Sequence, residues 1–259
     1  MSYLGEIVAC RHFWAHLARA EVRARFRRSR LGVAWALLQP LLLTLLLAVV
    51  FGGIFRLPIR DFALFVYSGL VVWDFIALSV VNGCGSLLTA EPYIKLRRLP
   101  VVIYPLRVVL GIATVSMVAF AGLILWVIID RPEVLGLPLV GLPPAFALIC
   151  LLGWGLAIHS AFINARFRDF QQFVGVILQA VWYVSPVFIE PRLFTAAGLE
   201  AVLFYNPITH VLNLIREPLL WGQFPSGVDW AFAAGFAALV WLFAVARVRR
   251  SERDIVFYL

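Results

Sequence analysis

Apolar residues fill most of this 259-residue chain, and short charged or proline-containing segments interrupt them at intervals. An α-helix needs about 20 apolar residues to cross the roughly 30 Å hydrocarbon layer of a bilayer. Six stretches reach that length, at residues 34–55, 62–81, 101–129, 145–163, 170–188 and 228–246. The pattern predicts an all-α polytopic membrane protein with six transmembrane helices.

The first 32 residues carry many charges and form a different pattern. On a helical wheel their aromatic side chains, among them Phe13 and Trp14, lie apart from an arginine face about 80° wide. The arginines of that face are Arg19, Arg23, Arg27 and Arg30. Such a helix lies in the membrane interface with its arginines toward phosphate head groups. We interpret residues 1–32 as an N-terminal amphipathic interface segment and residues 33–259 as the transmembrane domain. The arginines either anchor the helix or receive a partner or the anionic head of a lipid substrate.

Two apolar segments between spans five and six, residues 193–204 and 208–221, are each too short to cross a bilayer. Asn206-Pro207 separates them, and Asn at an N-cap followed by Pro predicts a new helix start. The pair favours an outer re-entrant helical hairpin, in which any non-helical backbone must be shielded by protein or line a wet cavity. An amphipathic loop on the outer surface is the alternative.

Composition and charge agree with a membrane protein and predict its orientation. Only 14% of the residues are Asp, Glu, Lys or Arg, against about 25% in soluble domains. With the N-terminus inside, the cytoplasmic segments hold 16 of the basic residues and the outer segments five, Arg216 among these five. The positive-inside rule therefore predicts that both termini are cytoplasmic.

The sequence contains no recognisable catalytic machinery. Its one lysine, Lys95, stands in Tyr-Ile-Lys-Leu, so the chain lacks the Gly-Lys-Ser/Thr of a phosphate-binding P-loop. The three cysteines are too far apart to suggest a metal cage, and no paired carboxylates or nucleophile–base set is visible. We predict a transport subunit rather than an enzyme, with no cofactor or metal on this chain and no nucleic-acid partner.

The ionisable residues Asp74 and Arg107 lie inside the second and third predicted spans. Each costs several kcal/mol if it faces lipid unpaired. Their predicted depths differ by roughly 6 Å, within reach of an arginine side chain. We therefore predict a structural intramembrane pair rather than a proton relay; the alternative is that Arg107 extends inward to the interface.

The cytoplasmic loop at residues 86–100 is too short for a domain but rich in apolar residues. It predicts a short helix that lies across the membrane face and docks a soluble partner, and a solvated linker is the alternative. The candidate coupling residues are Glu91, Tyr93, Lys95 and Arg97.

Aromatic residues cluster at the outer end of span five and in the hairpin. The candidate residues for a translocation path there are Gln179, Trp182, Tyr183, Phe204 and Tyr205. Ring faces stack on sugars without selecting one linkage, whereas anchoring in lipid is the alternative. Adjacent helical residues point about 100° apart. Because Tyr183 shares a face with Gln179, we expect Tyr183 to face the path and Trp182 to pack against protein or lipid.

Five distinct short motifs lie along the chain, at residues 21–35, 39–41, 164–169, 183–187 and 206–220. In order and spacing they resemble type-2 ABC transporter permeases of the polysaccharide exporter family, over about residues 19–250. That family includes O-antigen, teichoic-acid and capsule exporters. Residues 210–217 resemble capsule-type members, whereas residues 167–169 and 185–187 resemble the O-antigen and teichoic-acid members, so the polymer stays open.

The resemblance implies a homodimer in the bacterial cytoplasmic (inner) membrane that moves a lipid-linked polysaccharide, O-antigen or similar. It implies two separate ATP-binding subunits, which hold ATP and magnesium and dock on a coupling helix within residues 86–100. Spans one and five would border a lateral gate, and periplasmic gate helices would follow Pro186. A capsular polysaccharide permease or a membrane enzyme acting on lipid-linked sugars is the alternative function, and periplasmic export components are an open further partner.

The charge bias gives a direct test of orientation. Reporter fusions after residues 95 and 259 should report the cytoplasmic side, and a fusion after residue 135 the outer side, because basic loops stay inside. Paired reporters, one active only in the cytoplasm and one only outside it, control for unstable fusions. A reversed result at any one of these three sites contradicts the topology.

Overall fold

The computed structural model describes residues 3–27, 29–96, 99–252 and 254–259, and this part of the chain is helical with no β-strand. The α-helices in chain order are α1 (Tyr3–Ala9), α2 (Arg11–Phe26), α3 (Trp35–Phe55), α4 (Ile59–Gly85), α5 (Glu91–Leu96), α6 (Ile103–Asp130), α7 (Leu142–Arg166), α8 (Phe170–Val184), α9 (Pro191–Ala196), α10 (Glu200–Tyr205), α11 (Pro207–Leu220) and α12 (Gly227–Ser251). Short 3₁₀ turns lie at Gly32–Ala34, Pro132–Val134, Leu137–Gly141 and Ile255–Tyr258.

Helix α4 is the centre of the bundle. It packs along α7, α3 and α6 and also contacts α8 and α11. Because partners surround it, 78% of its most apolar stretch is buried, against 22% for α3. Helix α4 can approach α7 closely because residue 83 is glycine. A Cβ atom at Gly83 would lie 2.7 Å from the Cα atom of Ala157.

Within the described residues, five helices are long and apolar enough to cross a membrane: α3, α4, α6, α7 and α12. They correspond to five of the six predicted spans. The helix at the fifth predicted span, α8, is shorter than the predicted 170–188: it has 15 residues and a length of about 22 Å. Its end at Val184 follows from Pro186, which disfavours helical backbone at the residue before it, and Ser185 is extended with ψ of 147°.

The segment between α8 and α12 is helical and broken, as its sequence predicts. Helix α11 begins at Pro207, and the Asn206 side chain accepts a hydrogen bond from the Ile208 amide at 3.0 Å, which confirms the predicted N-cap. The first half differs from the prediction, because two short helices replace one. Gly198 adopts φ of +71° between them, a conformation that glycine adopts without steric strain.

The two ends of the chain meet at one end of the bundle. The Tyr3 hydroxyl donates to Glu252 Oε1 at 2.6 Å, and the Val101 amide donates to the same oxygen at 3.0 Å. Burial and then this hydrogen bond raise the pKa of Tyr3 above its ordinary value. The N-terminal helices, the C-terminus and the start of α6 therefore lie together.

Gly83→Ala should destabilise the protein, because the new methyl group would displace the Ala157 backbone, and overpacking of this kind costs about 1–3 kcal/mol. Gly235→Ala is the matched control, since nothing lies within 4 Å of a Cβ there and alanine is the better helix former. Thermal unfolding of the purified protein in detergent measures both. An unchanged or higher melting temperature for Gly83→Ala contradicts the close packing of α4 on α7.

Candidate functional site

The predicted short helix between spans two and three is present as α5. The preceding turn is anchored in the bundle, where Leu87 and Ala90 are fully buried and the Ser86 hydroxyl donates to the Gly83 carbonyl at 2.7 Å. Helix α5 itself is largely exposed, so the anchored turn holds a short helix at the surface of the protein.

The candidate coupling residues lie on α5 and just after it. Lys95 Nζ pairs with Glu91 Oε1 at 2.5 Å, one helical turn apart. Tyr93 is 42% exposed and meets the edge of the Phe13 ring at 6.1 Å, so α5 also contacts the N-terminal helices. Arg97 lies outside the described residues.

The predicted pair between Asp74 and Arg107 is wrong. Arg107 Nη2 donates to Thr89 Oγ1 at 2.8 Å, and its Nε lies 4.0 Å from Glu21 Oε2. Among the described residues, no hydrogen bond or ion pair joins the two predicted partners. Asp74 lies 11 residues before the end of α4, whereas Arg107 lies four after the start of α6. Their depths therefore differ by about 10 Å.

The contacts of Arg107 instead connect elements at the inner end of the bundle. Glu21 belongs to α2, which packs along α6, and Thr89 belongs to the turn that leads into α5. Helix α2 and the turn before α5 thus share one buried arginine. The pattern of residues offered a weak signal for this link, since Glu21 is the one acidic residue in the arginine-rich segment 19–30.

The four arginines of the predicted face are exposed: Arg19, Arg23, Arg27 and Arg30. Arg19 and Arg23 lie on α2, as predicted. The single helical face does not extend to Arg30, because α2 ends at Phe26. There the Ser29 hydroxyl accepts a hydrogen bond from the Gly32 amide at 3.0 Å and starts the turn into α3.

At the outer end of α8, neighbouring aromatic residues face different surroundings. The Trp182 ring stacks on Phe188 with centroids 4.6 Å apart and packs against the core. Tyr183 is 52% exposed and touches Trp182 at its edge. Gln179 is exposed as well. The packing expected for Trp182 is therefore present, and what Tyr183 faces in an assembled exporter stays a prediction.

Asn206 links the aromatic residues at the end of α8 to the aromatic residues just before α11. Its Nδ2 donates to Ser185 Oγ at 2.9 Å and to the Val184 carbonyl at 3.4 Å, while its Oδ1 caps α11. The end of α8 is therefore tied to the start of α11. Phe204 and Tyr205, which are 50% and 73% exposed, follow at this junction.

Arg216 of α11, counted among the basic residues of the outer segments, is buried to 1% exposure. Its Nε donates to Ser68 Oγ at 3.1 Å and its Nη1 to the Pro186 carbonyl at 2.6 Å. Its Nη2 donates to the carbonyls of Val187 and Phe65 at 2.8 and 3.1 Å. The guanidinium lies 3.7 Å from the centroid of the Phe65 ring. It satisfies carbonyls that the end of α8 leaves without helical donors.

A second buried cluster joins α11 to α12. His210 Nδ1 lies 2.8 Å from Asp229 Oδ1, and its Nε2 lies 2.8 Å from the Phe204 carbonyl. Asn213 donates to the same Asp229 oxygen at 2.9 Å. Sequence reasoning missed this cluster, because its members are 16 to 19 residues from Asp229 and only the fold brings them into contact.

Relatives of known role align with nearly the whole chain. The polysialic acid transport protein KpsM of Escherichia coli is 25% identical over 245 residues, which cover 91% of this chain and 92% of that protein. The O-antigen export system permease RfbA of Myxococcus xanthus is 25% identical over 261 residues, with 96% and 95% coverage. RfbA of Klebsiella pneumoniae is 23% identical over 206 residues, with 78% and 77% coverage. No family model matches the chain.

The predicted resemblance to polysaccharide exporter permeases is confirmed. The similar proteins are named as transport proteins and export permeases, which also agrees with the prediction of a transport subunit rather than an enzyme. The alignment with the Myxococcus xanthus permease covers 96% of the chain, so α5 and helices α9 to α11 all lie within a region similar to such permeases.

Proposed function

We propose that this chain is the permease subunit of an ATP-driven exporter that moves a lipid-linked polysaccharide, O-antigen or a similar polymer, across the cytoplasmic membrane. The observation that carries the proposal is the similarity over 91% and 96% of the chain to proteins named for polysialic acid transport and O-antigen export. ATP and magnesium bind to separate partner subunits, and this chain supplies the path.

In this proposal the chain crosses the membrane six times with both termini cytoplasmic. Helix α8 starts beside the inner end of α7, where Asn164 accepts a hydrogen bond from the Gln171 amide at 3.2 Å. It ends beside the hairpin at Asn206. The chain then turns at residues 185–187, where the Val187 amide donates to the Ser185 carbonyl at 2.7 Å. A helix of about 22 Å is shorter than the roughly 30 Å hydrocarbon layer, and a bilayer accommodates such a helix by local thinning. The hairpin of α9, α10 and α11 (the outer hairpin) is re-entrant on the outer side.

A homodimer accounts for the exposed surface of α8. Val174 is the one residue of α8 that is buried within the chain. Gln172, Gln179 and Tyr183 are exposed and recur along one side of this helix. Polar groups at this depth are unfavourable against lipid. They therefore face a wet path between two copies, along which ring and amide groups contact sugars, with Trp182, Phe204 and Tyr205 at its outer end.

The lateral gate of this proposal lies between spans one and five. Phe51 of α3 meets Phe188 at 5.3 Å, beyond the end of α8. At the inner end, the exposed arginines Arg19, Arg23, Arg27 and Arg30 are placed to bind the anionic head of the lipid anchor. The ATP-binding subunits dock on α5 through Glu91, Tyr93, Lys95 and Arg97.

Export of a capsular polysaccharide is the second candidate function. Similarity to KpsM, which is named for polysialic acid transport, favours it, and similarity to RfbA favours O-antigen. The two candidates differ in polymer rather than in mechanism, and in either case periplasmic components receive the polymer.

Deleting the gene in its own host tests the function. Surface polymer should disappear while lipid-linked polymer accumulates inside the cell, because synthesis continues without export. Complementation with the intact chain is the control, and sugar analysis of the retained polymer separates O-antigen from capsule. Normal surface polymer in the deletion strain contradicts the proposal, and loss of polymer synthesis itself favours a membrane enzyme.

The double variant Glu91→Ala and Tyr93→Ala should weaken docking of the ATP-binding subunits, because it removes a partly exposed carboxylate and an exposed ring from α5. We expect less ATPase subunit in affinity purification of the permease, or ATP hydrolysis that no longer depends on export. Glu133→Ala, an exposed carboxylate near the end of α6, is the matched control. Normal co-purification together with normal export contradicts docking at α5.

Tyr183→Ala should slow export roughly two- to tenfold without changing protein level. The reason is that one ring–sugar contact contributes about 0.5–1.5 kcal/mol beyond its area. Surface polymer, followed over time, measures the effect. Trp182→Ala is the contrasting variant, expected to lower thermal stability through lost packing on Phe188. Full export with Tyr183→Ala, but loss with a folded Trp182→Ala, reverses the assignment of the two faces.

A further inference from the structure

One helix connects the coupling segment with the outer hairpin. Helix α4 has 27 residues and a length of about 40 Å. Its inner end continues directly into the buried turn at residues 86–90 and then into α5. Since Leu87 and Ala90 are fully buried, α5 cannot move far without moving the inner end of α4. A displacement of α5 therefore reaches α4.

Near the outer end of α4, Arg216 holds three elements at one point. It donates to Ser68 and Phe65 of α4 and to the carbonyls of Pro186 and Val187, while its own backbone belongs to α11. The elements are in direct contact there, because a Cβ atom at Gly69 would lie 2.1 Å from the Val187 oxygen and 2.4 Å from Arg216 Nη2. Ser68 is 17 residues from Gly85, or about 25 Å along the helix.

We infer that Arg216 is a positioning residue for export, which fastens the outer hairpin and the turn after α8 to α4. Movement that the coupling helix imposes on α4 then moves the outer hairpin with it. The inference rests on the proposed function and adds the link between its inner and outer ends.

The energetics of burial favour movement as one unit. Separating α11 from α4 would take two guanidinium donors of Arg216 away from Ser68 and Phe65 of α4, and unpaired donors on a buried charge are costly. Sliding the whole assembly keeps every hydrogen bond. The planar guanidinium suits this task because its donors reach several acceptors at fixed angles, which a lysine ammonium cannot reproduce.

The experiment measures movement at the outer hairpin rather than export alone. The permease and its ATP-binding subunits are reconstituted together in lipid nanodiscs, with Cys10, Cys84 and Cys150 replaced by alanine and Leu199→Cys as the labelling site. Leu199 lies between α9 and α10 and is 46% exposed. In the parent complex we expect ATP to change the rate of maleimide labelling at this site.

Arg216→Gln should reduce this ATP-dependent change at least fivefold while the complex still hydrolyses ATP. Arg216→Lys should retain part of it, since the charge stays but fewer acceptors are reached. Arg192→Gln is the matched control, because Arg192 lies on α9 and pairs with Glu190 at an exposed position. That variant should respond to ATP as the parent does.

The outcomes separate the positioning role from the proposed function. A parental response in Arg216→Gln overturns the role of Arg216 and leaves the proposed function standing. If Arg216→Gln does not assemble, Arg216→Lys decides: a parental response overturns the inference, and a reduced one supports it. If the parent complex neither binds ATP-binding subunits nor responds to ATP, the proposed function and the inference fail together.

Discussion

The backbone around Pro186 needs hydrogen-bond partners in a place that excludes water, and much of the outer half of the molecule follows from that need. Pro186 ends α8 at Val184 and lies in a buried turn at residues 185–187, in which the Val187 amide donates to the Ser185 carbonyl. Arg216 supplies donors to two of its carbonyls, and Asn206 binds the hydroxyl of Ser185. Asn206 is the N-cap of α11 and Arg216 lies one turn before its end, so these contacts fix the position of the helix along its length.

At the other end of α4, a second buried arginine also joins several elements. Arg107 joins α6 to Glu21 of α2 and to Thr89, just before α5. Helix α4 runs between these two arginine-centred regions and is buried by its neighbours along most of its length. The bundle therefore has polar attachment points near both ends of a central apolar helix. That arrangement suits a subunit that must change shape while it keeps its spans in register.

Elements of this fold that depend on local chemistry could be predicted from the sequence. Long apolar runs predicted the spanning helices, and Asn206-Pro207 predicted the start of α11. Errors arose where a contact between distant segments decides the outcome. The burial of Arg216 could not be predicted, because its carbonyl acceptors on Val187 and Phe65 are 29 and 151 residues away. Asp74 and Arg107 were paired because the additional residues at the inner end of α4 were not foreseen.

The hydrogen bond between Tyr3 and Glu252 has a consequence for how the protein is made. The two residues are separated by 249 positions, so the bond cannot form until almost the entire chain has left the ribosome. The N-terminal helices are synthesised first and remain without this partner until the last helix has been made. Contact between the N-terminal and C-terminal segments is therefore among the last events of biogenesis, and a subunit truncated before Glu252 would lack this hydrogen bond.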